Sequence, residues 1–364
     1  MAATKLRNRI RAAQTLARQA GSASDLARIP LDILRRKLQA RRLLLEITRV
    51  HGPGLAPGGT LDVTLLCSLR DGSYYLSSFL EHYRRLGVRH FVFLDNGSQD
   101  GTRETLMRQP DTTVYISRLP YGVYKHHFKR FLIRKHGRNR WTLLADVDEY
   151  FDFPKSGSLS LPQFCRYLDA HDYDAVVVHM LDLFSRKPVL ETPISGVVTD
   201  FRTEHRYFDL HRIELTEHTY AFGACNIVSN PAIKCLSGGI HSTVFENEVL
   251  LTKHPLLKWR PPMELPRYSH DIRYARAADV SGVFYHYKFT DEFPRVLARA
   301  VNEGGYYDGS VRYRKIAQRL RENPGLSLLQ PTSQELHSVE DLVAAGFLQV
   351  SPAYLDWCAK IAAG

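Results

Sequence analysis

The amino-acid sequence predicts an α/β fold in which helices flank a mostly parallel, Rossmann-like sheet. Short apolar runs without proline or glycine alternate with helical segments from Leu61 onward, which is typical of βαβ units. Two of these runs, ending at Leu94 and Ala145, lead directly into clusters of carboxylates. Ligands of open α/β sheets bind beyond the carboxyl ends of the strands, so the pattern also predicts the side on which a ligand binds.

The periodicity of apolar residues assigns the elements in order. The predicted elements are strand 61–67, helix 74–86, strand 89–94, helix 101–108, strand 112–117, helix 124–136 and strand 140–145. A helix around 161–168 and a strand over 175–180 follow, and the signal weakens beyond Phe184. Near the end of the chain, helices are predicted over residues 291–302 and 311–321. These assignments divide the chain into a helical arm (1–50), a linker (51–60), an α/β domain (61–305) and a C-terminal helical extension (306–364).

The N-terminal arm carries most of the net charge. Residues 1–50 contain twelve Lys and Arg residues and three acidic ones, a net charge of +9 in a chain whose total is +11. Leucines recur at helical spacing among these arginines. Two interpretations remain open, a peripheral contact with anionic lipid and a solvated helix that packs on its own domain or on a partner subunit. The rest of the chain carries little net charge, and we expect no nucleic-acid partner.

Composition and cysteine usage indicate a folded protein in a reducing compartment. Apolar residues make up 44% of the chain and charged residues 24%, as in ordinary globular proteins. The five cysteines form no CxxC pair, which predicts free thiols. No apolar run approaches the length of a membrane span, and the arginine-rich start lacks the apolar core of a signal peptide. We therefore expect a cytoplasmic protein, with the arm as a candidate contact to the inner face of the membrane.

The segment Asp146-Val147-Asp148 predicts a divalent-cation site. It follows an apolar strand, and Glu149 and Asp152 enrich it further in carboxylates. If the segment is extended, alternate side chains face the same way, so both aspartates face the ligand while Val147 enters the core. Hard oxygen ligands bind Mg²⁺ or Mn²⁺, and such an ion neutralises a phosphorylated ligand. A second Asp-x-Asp at 172–174 precedes its strand and is expected at the opposite edge of the sheet.

The segment from Asp95 to Thr102 (DNGSQDGT) predicts a turn that leads into a helix. Gly97 and Gly101 permit backbone angles that other residues resist, and Asp100 can cap the helix that follows. The alternative interpretation is a plain β–α turn without a ligand. Together with the acidic cluster after residue 145, the segment places polar side chains at two strand ends.

These motifs, in this order, resemble the family-2-like glycosyltransferases, and within them the group with a DNGSxDGT segment followed by a DVDEF-like motif. The matching residues here are 95–102 and 146–150, with further similarity at 65–71, 79–87 and 286–289. The resemblance covers about residues 61–305. It implies a GT-A-like fold and a metal-dependent, inverting transfer of sugar from a nucleotide-sugar donor to a glycan or lipid-linked acceptor. Bacterial surface polysaccharide or glycoconjugate synthesis is the setting that it implies.

The resemblance also implies roles for individual residues. Asp148 corresponds to the direct ligand of Mn²⁺ or Mg²⁺, and Asp146 to a contact with the ribose or with the metal and its water. His286, in a late His-Tyr segment, corresponds to a further metal ligand. The donor-binding residues implied by the same matches, in addition to Asp146, are Arg70, Asp71, Asp95, Asp100 and Lys288.

The catalytic base is the least defined part of the prediction. An inverting transferase needs a carboxylate beside the acceptor hydroxyl, and the family often has an acidic pair after a Gly-Gly-aromatic turn. This chain has Gly-containing turns at 222–226 and 237–241 but no Glu-Asp pair, so Glu246 and Glu248 are the candidates. Asp182 and Glu217 remain alternatives.

Rival functions make different demands on the same motifs. A haloacid-dehalogenase-like phosphatase would use Asp146 as nucleophile, but its motif has Thr or Val where this chain has Tyr150. A sugar nucleotidylyltransferase would need a Gly-rich, Arg-containing loop after the first strand, and 68–71 does not supply it. A catalytically degenerate, glycosyltransferase-like binding protein stays open, because the expected base motif is absent.

Overall fold

The computed structural model describes residues 23–191, 200–218, 225–265, 272–304 and 307–363. Within these residues the protein is of the α/β class with mixed sheets. The chain divides into two compact units, residues 1–47 and 48–364. The first unit contains helix α1 (Ala23–Glu46), and the predicted helical positions before residue 23 lie outside the described residues. None of the described helices is long and apolar enough to cross a membrane.

The strands of the second unit are numbered in chain order. They are β1 (Thr48–His51), β2 (Thr64–Leu69), β3 (His90–Asp95), β4 (Thr112–Ile116), β5 (Trp141–Leu144), β6 (Glu149–Asp152), β7 (Val178–Asp182), β8 (Tyr207–Phe208), β9 (Ile213–Thr216), β10 (Ile227–Val228), β11 (Cys235–Gly238), β12 (Thr252–Lys253), β13 (Leu256–Lys258), β14 (Arg276–Ala277), β15 (Gly282–His286) and β16 (Gln334–Glu335).

The helices of this unit are numbered in the same way. They are α2 (Ser73–Leu86), α3 (Thr102–Met107), α4 (Tyr121–His136), α5 (Leu161–Ala170), α6 (Phe201–Glu204), α7 (Ile240–Phe245), α8 (Phe293–Glu303), α9 (Val311–Glu322), α10 (Val339–Ala344) and α11 (Pro352–Ala363). Every element that the sequence predicted between residues 61 and 145 is present, and its ends differ from the prediction by at most three residues.

The main sheet has six strands in the order β1-β4-β3-β2-β5-β13. The four central strands are parallel, and the two edge strands run antiparallel to their neighbours. Strands β2, β3 and β5 are buried along their whole length, as the apolar runs predicted, and β4 is buried except at Ile116. The register pairs Leu69 with Asp95 and Asp95 with Ile116, so the carboxyl ends of three strands meet at one edge of the sheet.

Strand β1 corrects the predicted arm and linker boundaries. It pairs with β4 as an edge strand, so the arm and linker boundaries at residues 50 and 51 fall within the sheet. The glycines and prolines that follow do form a loop, but this loop is packed. The backbone N–H of Ala56 donates to Nδ1 of His136 at 3.2 Å, and Arg140 donates to the carbonyl oxygens of Ala56 and Pro57. Composition predicts a loop but does not reveal whether its backbone finds partners.

Helix α2 shows why the local sequence forms the elements around the site. Its buried residues Leu76, Phe79, Leu80 and Tyr83 recur at helical spacing and form one apolar face. The helix ends at Gly87, whose φ of 99° lies in the left-handed region that glycine adopts without steric cost. The buried face joins the main core beneath the strand ends, which fixes the start of the helix beside the loop after β2.

A second sheet of four strands, in the order β12-β7-β15-β6, lies under the acidic motif. Strand β15 runs parallel to β7 and antiparallel to β6. Its last residue, His286, is in register with both Asp182 and Glu149. The pairing therefore brings three ionisable residues from distant parts of the sequence into one row.

The C-terminal segment is helical, as the sequence predicted, but it belongs to the second unit. Val339, Leu342, Phe347 and Tyr354 are buried in the main core, and β16 pairs with β8. The predicted boundary at 306 therefore separates no structural unit. Its helices are short and amphipathic, so their pattern predicts helices without revealing the surface that they cover.

The five cysteines are free thiols, as their spacing predicted. Burial raises the pKa of the Cys67, Cys165 and Cys235 thiols, which keeps them protonated. The five free cysteines are Cys67, Cys165, Cys225, Cys235 and Cys358.

Candidate functional site

The acidic motif forms a tight turn immediately after β5. The backbone N–H of Glu149 donates to the carbonyl oxygen of Asp146 at 3.0 Å, which closes a four-residue turn. This corrects the prediction of an extended segment, because β6 begins at Glu149 and the chain must turn to reach it. The side chains of Asp146 and Asp148 are nevertheless both partly exposed, at 31% and 30%. Val147 packs against the core, as the sequence predicted.

Buried lysines surround Asp146. Nζ of Lys129, on α4, lies 2.9 Å from Oδ1 of Asp146. Burial opposes ionisation, but the positive charges of Lys129 and Lys253 outweigh it and lower the pKa of Asp146 to about 2. Lys253 forms a buried ion pair with Glu149, which in turn accepts from the backbone N–H of Asp146 at 3.2 Å. Asp146 is therefore ionised, and Lys129 holds its side chain in place.

His286 bridges two carboxylates at the end of β15. Its Nδ1 lies 2.6 Å from Oδ1 of Asp182, and its Nε2 lies 3.4 Å from Oδ2 of Asp148. Burial alone would lower the pKa of His286, but the carboxylates of Asp182 and Asp148 raise it to about 10. The imidazole is buried, and its orientation is fixed by Asp182. Beyond Asp182, Nε2 of His241 lies 3.6 Å from Oδ2 of the same carboxylate.

This geometry fits a divalent cation at Asp148 and His286. Two ligands of one ion, each about 2.1 Å from it, lie roughly 3.0–3.4 Å apart, and Oδ2 of Asp148 and Nε2 of His286 have this spacing. A carboxylate that holds the other nitrogen of a metal-binding histidine is a common arrangement, and Asp182 takes this position. Both carboxylate oxygens of Asp146 face Lys129, with Nζ of the lysine 2.9 Å from the solvent-shielded Oδ1 and donating to Oδ2 at 3.2 Å.

The described residues contain no group of three or more acidic, histidine or cysteine side chains arranged to hold a metal ion by themselves. An ion that is bound together with phosphates needs fewer protein ligands. Mg²⁺ in particular is often held by one or two carboxylates, with waters and substrate phosphates completing its shell. The residues present therefore fit an ion that arrives with a phosphorylated ligand better than a resident structural ion.

The carboxylates of the first two loops mainly brace the backbone. Asp71 has a φ of 55°, and Oδ1 of its side chain accepts from the backbone N–H of Gln99 at 2.8 Å. Its other oxygen pairs with Arg299 of α8. Arg70 is partly exposed and pairs with Glu303 of the same helix at 3.1 Å. These contacts join the loops after β2 and β3 to α8.

The DNGSQDGT segment is held in the same way. Asp95 has no exposed surface, and its oxygens accept from the backbone N–H of Ser98 at 2.9 Å and from Arg103 at 2.8 Å. Asp100 accepts from the backbone N–H groups of Ser73 and Thr102, at 3.0 and 3.1 Å. Asp95 is fully buried, so its side chain has no exposed surface for the nucleoside contact that the resemblance implies. Asp100 joins its own loop to the start of α2 and so braces the loop.

A pocket of about 130 Å³ opens beside His286. Lys288 lies in its wall, with Nζ 4.8 Å from the ring centre of Tyr313. The wall combines apolar side chains with more basic than acidic ones, so it favours an anionic or partly apolar ligand. Its lining consists of Met180, Asp182, His241, Val249, Leu250, Leu251, Lys253, His286, Lys288, Arg312 and Ile316.

The predicted catalytic carboxylates do not reach this pocket. Glu246 and Glu248 are exposed just after α7. Neither lines the pocket, although Val249, the residue after Glu248, does. Glu217 is also exposed, and it pairs with Lys234 at 2.6 Å. Among the described lining residues, Asp182 is the one carboxylate. Most of the predicted Gly-containing turn at 222–226 lies outside the described residues.

Sequence reasoning missed several residues of the site. Lys129 is one of many basic residues on α4, and Lys253 lies on a strand of two residues, so neither has a distinctive local pattern. Asp182 was an alternative for the base, but its contact with His286 depends on the pairing of β7 with β15. The signal that could have found it is positional, since Asp182 lies two residues beyond the predicted apolar strand 175–180.

No family model matches this chain, and no curated protein matches it in sequence.

Proposed function

We propose that this protein is a metal-dependent glycosyltransferase with a GT-A-like fold, which transfers a sugar from a nucleotide-sugar donor by inverting displacement. The observation that carries the proposal is the pairing of Asp148 with His286 at ligand spacing, beside ionised Asp146 at the carboxyl end of a parallel strand. The order of the sequence motifs supports the same class. We further propose a glycan or lipid-linked acceptor and a cytoplasmic location.

The site residues divide the work of binding the donor. Asp148 and His286 would hold Mn²⁺ or Mg²⁺, which neutralises the charge that grows on a diphosphate leaving group. Asp146, held by Lys129, would contact the same ligand from the turn. Lys288 and Arg312, which both line the pocket, add positive charge to it and so would favour binding of the phosphates. Lys253 is joined to Glu149 and keeps the turn in place.

Asp182 is a positioning residue in this proposal. It holds Nδ1 of His286 at 2.6 Å, so that Nε2 faces Asp148. Burial opposes ionisation of its carboxyl, but His241 and His286 lower its pKa to about 2, which makes it a weak proton acceptor. A proton acceptor for the sugar hydroxyl is therefore not evident among the described lining residues.

The absence of a stronger proton acceptor among the described lining residues favours one second candidate function, a catalytically degenerate domain that binds nucleotide sugar without transferring it. The two functions share the metal and donor site and differ only in the transfer step. A binding experiment tests what they share, and a turnover experiment separates them.

The experiment is a screen of nucleotide sugars by thermal shift with Mn²⁺, followed by donor hydrolysis on those that bind. A transferase should show Mn²⁺-dependent stabilisation by one nucleotide class and slow metal-dependent release of the nucleoside diphosphate. Binding without any release, with and without candidate acceptors, would support the degenerate domain. Hydrolysis of a simple phosphomonoester, lost in Asp146→Asn, would instead support the phosphatase alternative. A protein that binds no nucleotide would contradict both transferase-like functions.

A further inference from the structure

Helix α1 presents a continuous leucine stripe to solvent. Leu34, Leu38 and Leu45 are 54%, 55% and 90% exposed. At 3.6 residues per turn these three side chains lie within about 40° of one another around the helix axis, and the stripe is about 17 Å long. A single exposed leucine is ordinary, but an aligned set on one helix is a surface that water solvates poorly.

Basic residues flank this stripe on both sides. Lys37 and Arg41 project on one side and Arg35 and Arg42 on the other, and all four are exposed. Residues 33–45 contain no acidic residue. An apolar stripe between rows of Lys and Arg matches the boundary of an anionic bilayer, where leucines enter the acyl region and the long basic side chains reach the headgroups.

We propose that α1 is a peripheral anchor that lies flat on an anionic lipid bilayer. The helix is too polar to cross a membrane. Its charge complements anionic lipid headgroups, and the net charge of +9 on residues 1–50 extends this attraction along the arm. The proposal does not depend on sugar transfer, because it rests on the surface of the first unit alone.

A second copy of the chain is the main competing occupant, and the spacing disfavours it. Leu38 and Leu45 are seven residues apart and could belong to one column of a coiled-coil seam. The other column of core positions lies three or four residues away along the helix. It would contain Arg41 in one of the two possible heptad registers, or Arg35 and Arg42 in the other. Arginine at these core positions would have to leave water, whereas at a bilayer surface it stays among the phosphates.

The test measures co-sedimentation of the full chain with two kinds of vesicle, phosphatidylcholine alone and phosphatidylcholine with phosphatidylglycerol. We expect binding to the anionic vesicles only, and release by high salt. Arg41→Gln with Arg42→Gln should weaken binding about fivefold for each charge removed. The matched control removes two exposed arginines of α9, Arg319→Gln with Arg321→Gln, and should bind as the wild type does.

A second pair of variants tests the apolar stripe. Leu38→Glu with Leu45→Glu should reduce anionic-vesicle binding at least about tenfold, whereas Leu355→Glu, at an exposed leucine of α11, should not. Circular dichroism and urea denaturation report whether each variant is folded. Unchanged vesicle binding by the folded stripe variant would overturn the proposal. So would equal binding to both vesicle types, or a stripe variant that changes only the oligomeric state in light scattering.

Discussion

Two Asp-x-Asp segments in this chain have the same spacing and different surroundings. Asp146 and Asp148 follow β5, lie near Lys129 and His286, and are about 30% exposed. Asp172 is 73% exposed and pairs with Arg260 at 2.6 Å. Asp174, at the start of the next extended segment, pairs with the same arginine and accepts from the backbone N–H of Arg276.

The difference shows what a strand end contributes. At the carboxyl end of β5, carboxylates meet a second sheet that supplies a histidine and a lysine. At residues 172–174 both carboxylates pair with the guanidinium of Arg260, so the opposite charges neutralise one another within a local cluster. The tripeptide pattern is therefore not informative alone, and its position relative to the strand decides its chemistry.

The largest expected effect is on ligand binding. Asp148→Asn should weaken Mn²⁺-dependent binding of a nucleoside diphosphate by at least about 100-fold, which corresponds to about 2.7 kcal/mol, because it removes a charged metal ligand. Isothermal titration with Mn²⁺ present measures this effect. Asp172→Asn makes the same substitution in the second segment and should leave binding unchanged. Equal losses in the two variants would mean that the segments do not differ in function.

The next effect is on stability. Lys129→Met should leave Asp146 without its buried partner and lower the free energy of unfolding by about 3 kcal/mol. We choose the lower end of the range for buried pairs because Asp146 keeps some contact with water. Arg260→Met, which breaks the more exposed pairs, should have a much smaller effect. Urea denaturation measures both, and a larger loss for the Arg260 variant would reverse the comparison.

The third effect concerns pH and metal affinity. The pKa of His286 is raised to about 10, so its ion pairs stabilise the metal-free fold fully below about pH 6.5, and this contribution is lost as pH rises through 10. A metal ion must displace the Nε2 proton. Its apparent affinity should therefore rise with pH, by up to about tenfold per unit, over a wider range than an ordinary histidine gives.

The variant His286→Ala should weaken Mn²⁺ binding and remove most of this pH dependence. His286→Asn is the matched variant that keeps a polar side chain, and it should retain part of the affinity through its amide oxygen. Titrations at several pH values between 6 and 9 provide the measurement. Full affinity and an unchanged pH profile in the alanine variant would make His286 a structural histidine.

The smallest expected effect is at the carboxylates outside the pocket. Glu246→Gln and Glu248→Gln should each change donor turnover less than about twofold, because neither side chain lines the pocket. Asp182→Asn should lower turnover more, mainly through weaker Mn²⁺ binding. Initial rates at several Mn²⁺ concentrations separate the two causes. A strong loss for Glu246→Gln, not recovered by added Mn²⁺, would restore it as the catalytic base.

The first half of the fold could be predicted because its signals are local. Buried parallel strands such as β3 have continuous apolar runs, and the helices between them have clear periodicity. The second sheet has strands of two to five residues. The run 283–285 in β15 reads as a strand, but β12 has only two residues and no distinctive pattern. Edge strand β1 could not be predicted from its four residues, because its partner defines it.

The same limit applies to the site. Asp146, Asp148 and His286 were predicted from motifs, but the two contacts that organise them each join residues 104 positions apart. Lys253 reaches Glu149, and Asp182 reaches His286, only because β7 and β15 lie side by side. The periodicity of apolar residues along the sequence does not predict which distant strands pair. The base prediction depended on a motif that this chain lacks, and Glu246 and Glu248 lie outside the pocket.

The most direct test of the metal site is a crystal structure of the protein soaked with Mn²⁺ and a nucleoside diphosphate. Anomalous scattering locates the ion without reference to any assumed ligand. We predict one Mn²⁺ peak within about 2.3 Å of a carboxylate oxygen of Asp148 and of Nε2 of His286, with a phosphate oxygen in its shell. A peak elsewhere, or nucleotide bound without metal near Asp148, would contradict the account.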